Sequence, residues 1–343
     1  MKIHKLNPIH DPRWRRFIES HPQSSVFHTP EWLQALQRTY NYEASAVTTS
    51  APGEELVNGL VFCAVESWVT GRRLVSLPFS DHCEPLVRSE EELREIVGEL
   101  KPEVDAGRWK HVEIRQAAMV ESAPENLTGA SFCLHKLDLH PDLDKLMAGF
   151  HKTAVQQMIR RADREPLVCE EGRSESLLAK FYSLLVLTRQ RQSLPPQPLA
   201  WFRNLAESLK DMLTVRVALK GDVPVAGILT VRYKSTLVYK YSCSNREFRN
   251  CGGTPFLLWK AIQSAKEEGK VELDMGRSDW DNPGLIEFKD RWSATRSTLN
   301  YFRYPKRPDK PTAWQSRAAK GILEHLPSAV LSRAGKLLYR HIG

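Results

Sequence analysis

Between a strand-like run at Thr236–Cys243 and an apolar-periodic helix at 255–268 stands Arg249-x-x-Gly252-Gly253-Thr254, a set of residue types that can hold a phosphate. Glycine lets the backbone approach an anion with no Cβ in the way. The free N–H groups of a first helical turn point at the anion, and the helix dipole favours negative charge there. Arg249 adds a charge-assisted hydrogen bond. The same residues allow a plainer reading, in which Gly252-Gly253 only makes a turn, Thr254 caps the helix and Pro255 opens it.

Few side chains are obvious proton acceptors. Asp279 and Asp281, in the polar loop after a strand at 271–275, can accept a proton, and a solvated turn held by Asp and Asn fits them equally well. Arg277 stands where the chain leaves that strand, a usual position for functional side chains, and Gly276 beside it lets a ligand come close. Tyr239 and Tyr241 alternate with Lys240, which gives them one face of their strand, either as core or as hydrogen-bond donors to a substrate. Lys152, Arg160, Arg161 and Arg164 share a basic helix at 152–164, and Arg189 and Arg191 close the next one. They form either a solvated face or a patch recognising a phosphorylated acceptor, such as a lipid- or nucleotide-linked sugar. No histidines fall in a metal-binding spacing, so no metal is expected.

The elements that must position these groups form two α/β series. In the first, helices at 12–21 and 30–39, the second opened by Thr29-Pro30, precede strands at 44–48, 56–66, 73–77 and 111–116, with a helix starting at Ser89 between the last two. A break follows near His140-Pro141, after a strand at 132–139. The second series has helices at 174–191 and 199–210, then strands at 213–220, 223–233 and 236–243. It closes with the helix at 255–268, the strand at 271–275, a helix at 283–290 and a strand near 297–303. The expected domains are therefore 1–140 and 141–304, with a tail at 305–343 holding two amphipathic helices at 313–326 and 328–341.

At 343 residues the chain exceeds the usual single-domain size. No segment resembles a signal peptide or a membrane span, and the six cysteines form no C-x-x-C pair, so a cytoplasmic protein with reduced thiols is expected. The 49 basic against 41 acidic residues leave +8, a bias toward phosphate-bearing partners.

The segment Val271-Glu-Leu-Asp-Met-Gly-Arg-Ser-Asp279, the run Asn282-Pro-Gly-Leu-Ile-Glu-Phe-Lys-Asp-Arg-Trp292, the basic helix from His151 and Thr188-Arg-Gln-Arg191 together resemble the FemAB-like branch of the GNAT superfamily, including proteins termed BioF2-like acetyltransferases. The first half matches mainly in His28-Thr29-Pro30-Glu31-Trp32 and Leu77-Pro78-Phe79-Ser80-Asp81-His82. The resemblance implies an α/β (α+β) fold of two tandem GNAT-like domains with mixed, mostly antiparallel sheets, plus the helical tail. It also implies an acyltransferase using acetyl-CoA or another acyl-CoA on a cell-envelope or exopolysaccharide precursor. The loop at 249–254 then holds the pyrophosphate, with Thr254 where the family usually has Gly or Ala. Lys289 occupies the family's Phe-Lys position and stabilises developing negative charge, beside Asp279 and Tyr241 as candidate catalytic residues, unless it is simply an exposed lysine on a short helix.

Cross-bridge members of that branch instead take an amino acid from aminoacyl-tRNA. Some carry a long helical arm for which this sequence has no room, which favours the thioester donor. A catalytically silent assembly scaffold and a nucleic-acid-binding protein are the remaining classes; the aromatics are not interleaved with the basic residues as base stacking requires. The tail helices suit either docking on the protein's own domains or peripheral contact with an anionic membrane.

Overall fold

A computed structural model describes residues 2–68, 70–116, 128–305 and 335–341. The chain divides into two compact units. The described part of the first comprises 2–68, 70–116, 128–133, 297–305 and 337–341, and that of the second 134–296 with 335 and 336.

The first unit begins with β1 (His4–Leu6), α1 (Pro12–Ser20) and α2 (Pro30–Tyr40). Asp11 caps α1 and Thr29 caps α2, each with proline at the start of the helix, and α2 stops at Asn41 in the left-handed region with φ 58°. Three strands follow, β2 (Glu43–Thr48), β3 (Leu60–Ser67) and β4 (Gly71–Ser76), then α3 (Glu90–Asp105), opened by the Ser89 cap, and β5 (His111–Gln116). Ile96, Leu100 and Val104 of α3 pack on Leu60, Phe62, Leu74, Val112 and Ile114 of the sheet.

Of the two motifs singled out in this half, the first touches Cys83 and Glu84, just after the second. His28 is fully buried, accepts the Ser25 N–H at Nδ1 (3.0 Å) and faces the Glu84 carbonyl with Nε2 (2.8 Å). Burial pushes its pKa down to about 4, so the ring is neutral. Arg115 donates to the carbonyls of Leu77 and Ser80 (2.5 and 3.1 Å), pinning the turn between them.

β6 (Thr128–Asp138) leads into the second unit, which continues with α4 (Leu143–Gly149), a π-helical turn at Lys152–Gln156, α5 (Gln157–Arg164), β7 (Val168–Gly172), α6 (Glu175–Arg191) and α7 (Leu199–Leu209). Then come β8 (Leu213–Lys220), β9 (Val223–Tyr233), β10 (Thr236–Ser244), α8 (Gly253–Glu267), β11 (Glu272–Ser278) and α9 (Pro283–Asp290). The strand order is β6-β11-β10-β9-β8-β7, antiparallel from β10 to β7 and parallel between β10 and β11. Neighbouring residues of β9 show how helices cover both faces: a side chain at Gly227 would meet Phe181 of α6, whereas Ala226 touches Gly253 of α8. The apolar core between α5, α8 and the sheet contains Ile159, Leu257, Ile262, Leu273 and Trp292.

The last strand, β12 (Thr295–Tyr304), was expected to close the second half. It pairs instead with β5, antiparallel, in the register Phe302–Ile114, and completes the first unit's order β1-β2-β3-β4-β5-β12. Alternation in a sequence identifies a strand but not its partner.

Of the expected tail helices, only 335–341 lies within the described residues. Its 337–341 portion docks on the first unit: Tyr42 donates to the carbonyls of Tyr339 and Arg340, and Thr70 and Arg73 to that of His341. These donors satisfy carbonyls in the last described turn of the helix. No described helix is long and apolar enough to cross a membrane.

Candidate active site

The parallel pairing of β10 and β11 is short. Thr236, Leu237 and Val238 pair with Glu272, Leu273 and Asp274, and beyond them the strands run on to Ser244 and Ser278 without pairing with each other. Two local features accompany this parting. In β10 a bulge at Lys240 shifts the register against β9, and in β11 Gly276 takes φ +70°, which bends the strand at little cost only because it has no Cβ.

The bulge also overturns the expected alternation of the tyrosines. Tyr239 joins the core shared with α8, and Tyr241 meets Phe202 of α7 edge to face with centroids 5.2 Å apart while the Trp201 indole N–H donates to its hydroxyl at 2.8 Å. The two rings therefore lie on opposite faces.

The glycine loop leaves β10 through Asn245, which caps a tight turn at Arg246–Cys251. Helix α8 begins at Gly253, with Gly252 as its N-cap at φ +75° and no capping side chain. The plainer sequence reading, with Thr254 as cap and Pro255 as first residue, is thus displaced: Thr254 is second and Pro255 third. The opening N–H groups, at Gly253 and Thr254, lead out of the helix end. Both glycines are also demanded by packing, since a Cβ would lie 2.1 Å from the Met158 carbonyl oxygen at Gly252 and 2.9 Å from the Ala226 Cβ at Gly253. Arg249 is exposed on the turn.

At the end of β11, Lys289 is buried, contrary to its reading as an exposed lysine. Only 3 % of it is accessible, and its ammonium donates to the carbonyls of Gly276 (2.7 Å) and Arg277 (3.0 Å). Asp274, 2 % accessible, accepts the Gly276 N–H at 2.7 Å. Arg277 reaches Asp279 at 3.9 Å, a loose and partly exposed pair. Asp281 is exposed, as is Trp280, while Asn282 caps α9 by accepting the Leu285 N–H.

The basic residues divide into three places. Lys152 is exposed next to His151, whose N–H bonds the Arg291 carbonyl at the end of α9, so it lies on the Lys289 side of the unit. Arg191 donates to the Ser244 carbonyl (3.3 Å) and Thr188 accepts the Ser244 N–H (3.0 Å), which anchors the end of α6 to the end of β10; Arg189 bonds Gln192. Arg160, Arg161 and Arg164 are exposed on α5, the helix whose Met158 touches the glycine loop.

Sequence reasoning missed Asp274 and a buried His135. The His135 ring lies 3.2 Å from Asp290, which is itself paired with Arg296. Burial pushes the His135 pKa down, the Asp290 hydrogen bond opposes that shift, and nearby Lys289 adds to it. Asp274 was concealed in an ordinary strand alternation, which sets it with Glu272 on the polar face of Val271–Met275.

Residues 150–290 match the family model described as the acetyltransferase (GNAT) domain. No curated protein matches the chain significantly. Among solved structures, FemX superposes with a TM-score of 0.67 at 14 % identity, covering 88 % of this chain and 97 % of FemX. L-PGS from Bacillus licheniformis gives 0.57 at 12 % identity, covering 94 % and 98 %. A tandem GNAT protein of the clavulanic acid biosynthesis pathway gives 0.54 at 10 % identity, covering 90 % and 99 %. At these identities the likeness is one of fold, and it extends over both halves of the chain. The family match lies on the unit that carries the parted strands and the glycine-led helix, and the fold of the chain is similar to that of FemX and of the tandem GNAT protein.

Proposed function

We propose that the chain transfers an acyl group from an acyl-coenzyme A thioester to an amine or hydroxyl of a phosphorylated cell-envelope or exopolysaccharide precursor. The observation that carries this reading is the parting of β10 from β11 next to an α8 start that no side chain caps. Unladdered strand ends offer backbone N–H groups to a thioester carbonyl, and the helix start offers its own to a pyrophosphate, with Arg249 in reach of the same loop. In this reading the nucleophile attacks the carbonyl carbon, the new C–N or C–O bond forms, the C–S bond breaks and coenzyme A leaves as the thiol. The proton lost by the nucleophile passes to Asp279 or to solvent beside it and is returned to the departing sulfur. Lys152, Arg160, Arg161, Arg189, Arg191 and Arg277 supply positive charge for the acceptor's phosphate. The working location is the cytoplasm, with peripheral contact at the inner face of the membrane where the acceptor is lipid-linked.

Calorimetric titration with acetyl-CoA and free CoA tests the donor, beside an Arg249→Ala/Gly253→Val variant. Binding by the wild type and loss in the variant support the reading; absence of binding by the wild type ends it.

The likeness in fold to FemX and L-PGS supports a second donor, an aminoacyl-tRNA, as implied by the cross-bridge members of the branch. Transfer of a radiolabelled amino acid from charged tRNA, with no response to acetyl-CoA, selects it.

A further inference from the structure

The Gly276 peptide is held on both of its polar groups by buried charge. Its N–H goes to the Asp274 carboxylate at 2.7 Å and its carbonyl to the Lys289 ammonium at 2.7 Å; the same ammonium also takes the Arg277 carbonyl at 3.0 Å. Both side chains are almost wholly inaccessible, at 2 % and 3 %. Burying an ion is costly unless strong hydrogen bonds replace its water, so two of them spent on one backbone segment mark a place where that backbone must be fixed. The segment is the one directly after the last ladder pair, Val238–Asp274, where β11 has lost the support of β10 and Gly276 turns at φ +70°.

We propose that Asp274 and Lys289 are positioning residues that substitute for the missing ladder and hold the end of β11 away from β10, setting the width of the donor gap. Lys289 acts through the Gly276–Arg277 backbone rather than by touching the reacting carbonyl. Asp274 has no other assignment in the site. The donor part of this inference rests on the proposed function; the backbone part does not.

Two readouts separate them: hydrogen exchange of the 275–278 amides, and the donor Kd alongside kcat and KM. Asp274→Ala and Lys289→Met are expected to speed exchange at 275–278 and to weaken acetyl-CoA binding by about tenfold or more. Asp274→Asn keeps a carbonyl acceptor for the Gly276 N–H and is expected to retain protection, restoring most of the donor affinity that alanine loses. A Lys289→Met protein with unchanged exchange and unchanged Kd but a reduced kcat overturns the proposal, because it places the ammonium on the reacting atoms. Unchanged exchange in Asp274→Ala overturns it equally. Where Lys289→Met fails to fold, the alanine and asparagine variants at Asp274 decide. If the wild type binds no acyl-CoA while Asp274→Ala still loses protection, the backbone clamp stands and the donor assignment falls.

Discussion

The indole N–H of Trp201 meets the Tyr241 hydroxyl at 2.8 Å, so the first residue of β10 beyond its bulge is tied to α7 by a side chain that is itself fully buried. Tyr241→Phe removes that acceptor, at a cost of about 1–3 kcal/mol for the stranded donor. The expected result is a lowered Tm with kcat within a few-fold of wild type. A hundredfold loss of kcat at unchanged Tm would instead make the hydroxyl a proton carrier in the reaction.

Gly252 tolerates no side chain, because it combines φ +75° with a Met158 oxygen 2.1 Å from where a Cβ would stand. Gly252→Ala is predicted to destabilise by roughly 2 kcal/mol or more, since backbone, not a flexible side chain, must give way. Denaturant melts check the magnitude. Gly253→Ala meets the Ala226 Cβ at 2.9 Å and displaces the start of α8 from β9, so it should weaken acetyl-CoA binding as well as stability.

Acid should loosen the first unit in two stages. Burial pushes the His28 pKa from 6.5 down to about 4, so the folded state binds fewer protons than the unfolded one; this stability is complete above 6.5 and lost as the pH falls toward 4. Glu113 comes next. Burial alone would raise its pKa, but the Arg115 and Arg303 guanidiniums outweigh that effect and hold it at about 2 against 4.5. Its contribution, on the order of 3 kcal/mol, is present above 4.5 and disappears between there and pH 2. Tm measured from pH 8 to pH 3 should fall in this sequence, and Glu113→Gln should flatten the lower stage. An unchanged profile in that variant would remove Glu113 from the account.

Thiol chemistry offers an independent check on packing. Cys63, Cys83, Cys133, Cys243 and Cys251 are buried, and Cys169 is the one partly exposed cysteine among the six. Burial pushes the thiols of Cys63, Cys83 and Cys243 well up, out of reach of thiolate chemistry at neutral pH. Ellman's reagent is expected to label Cys169 first in the native protein and all six in denaturant. Rapid labelling of Cys83 without denaturant would contradict the tight packing around His28.

Much of this architecture was legible because local chemistry wrote it. Thr29 and Ser89 announced their helices as caps, and the alternation at 213–243 announced three strands. Helix α4 and the short strands β1 and β7 lay below the length at which periodicity speaks. The site was read less evenly. Arg249 and the two glycines stood out by type and spacing, and Lys289 by resemblance, but the burial of Lys289 and its hold on Gly276 arise from tertiary placement that no spacing encodes. Tyr241 was misoriented because one bulged residue, Lys240, inverts every later side chain of the strand.

The return of β12 to the first unit fixes an order of events during synthesis. The ribosome completes residues 134–296 before it delivers the strand that pairs with β5, so the first unit waits, one strand short, while the whole of the second emerges. Until then β5 presents an unpaired edge, the kind of surface that recruits other nascent chains. The second unit, continuous from 134 to 296, is the part that can fold as it leaves the tunnel, and a nonsense codon between Ser297 and Tyr304 would cost the first unit its closing strand while sparing that stretch.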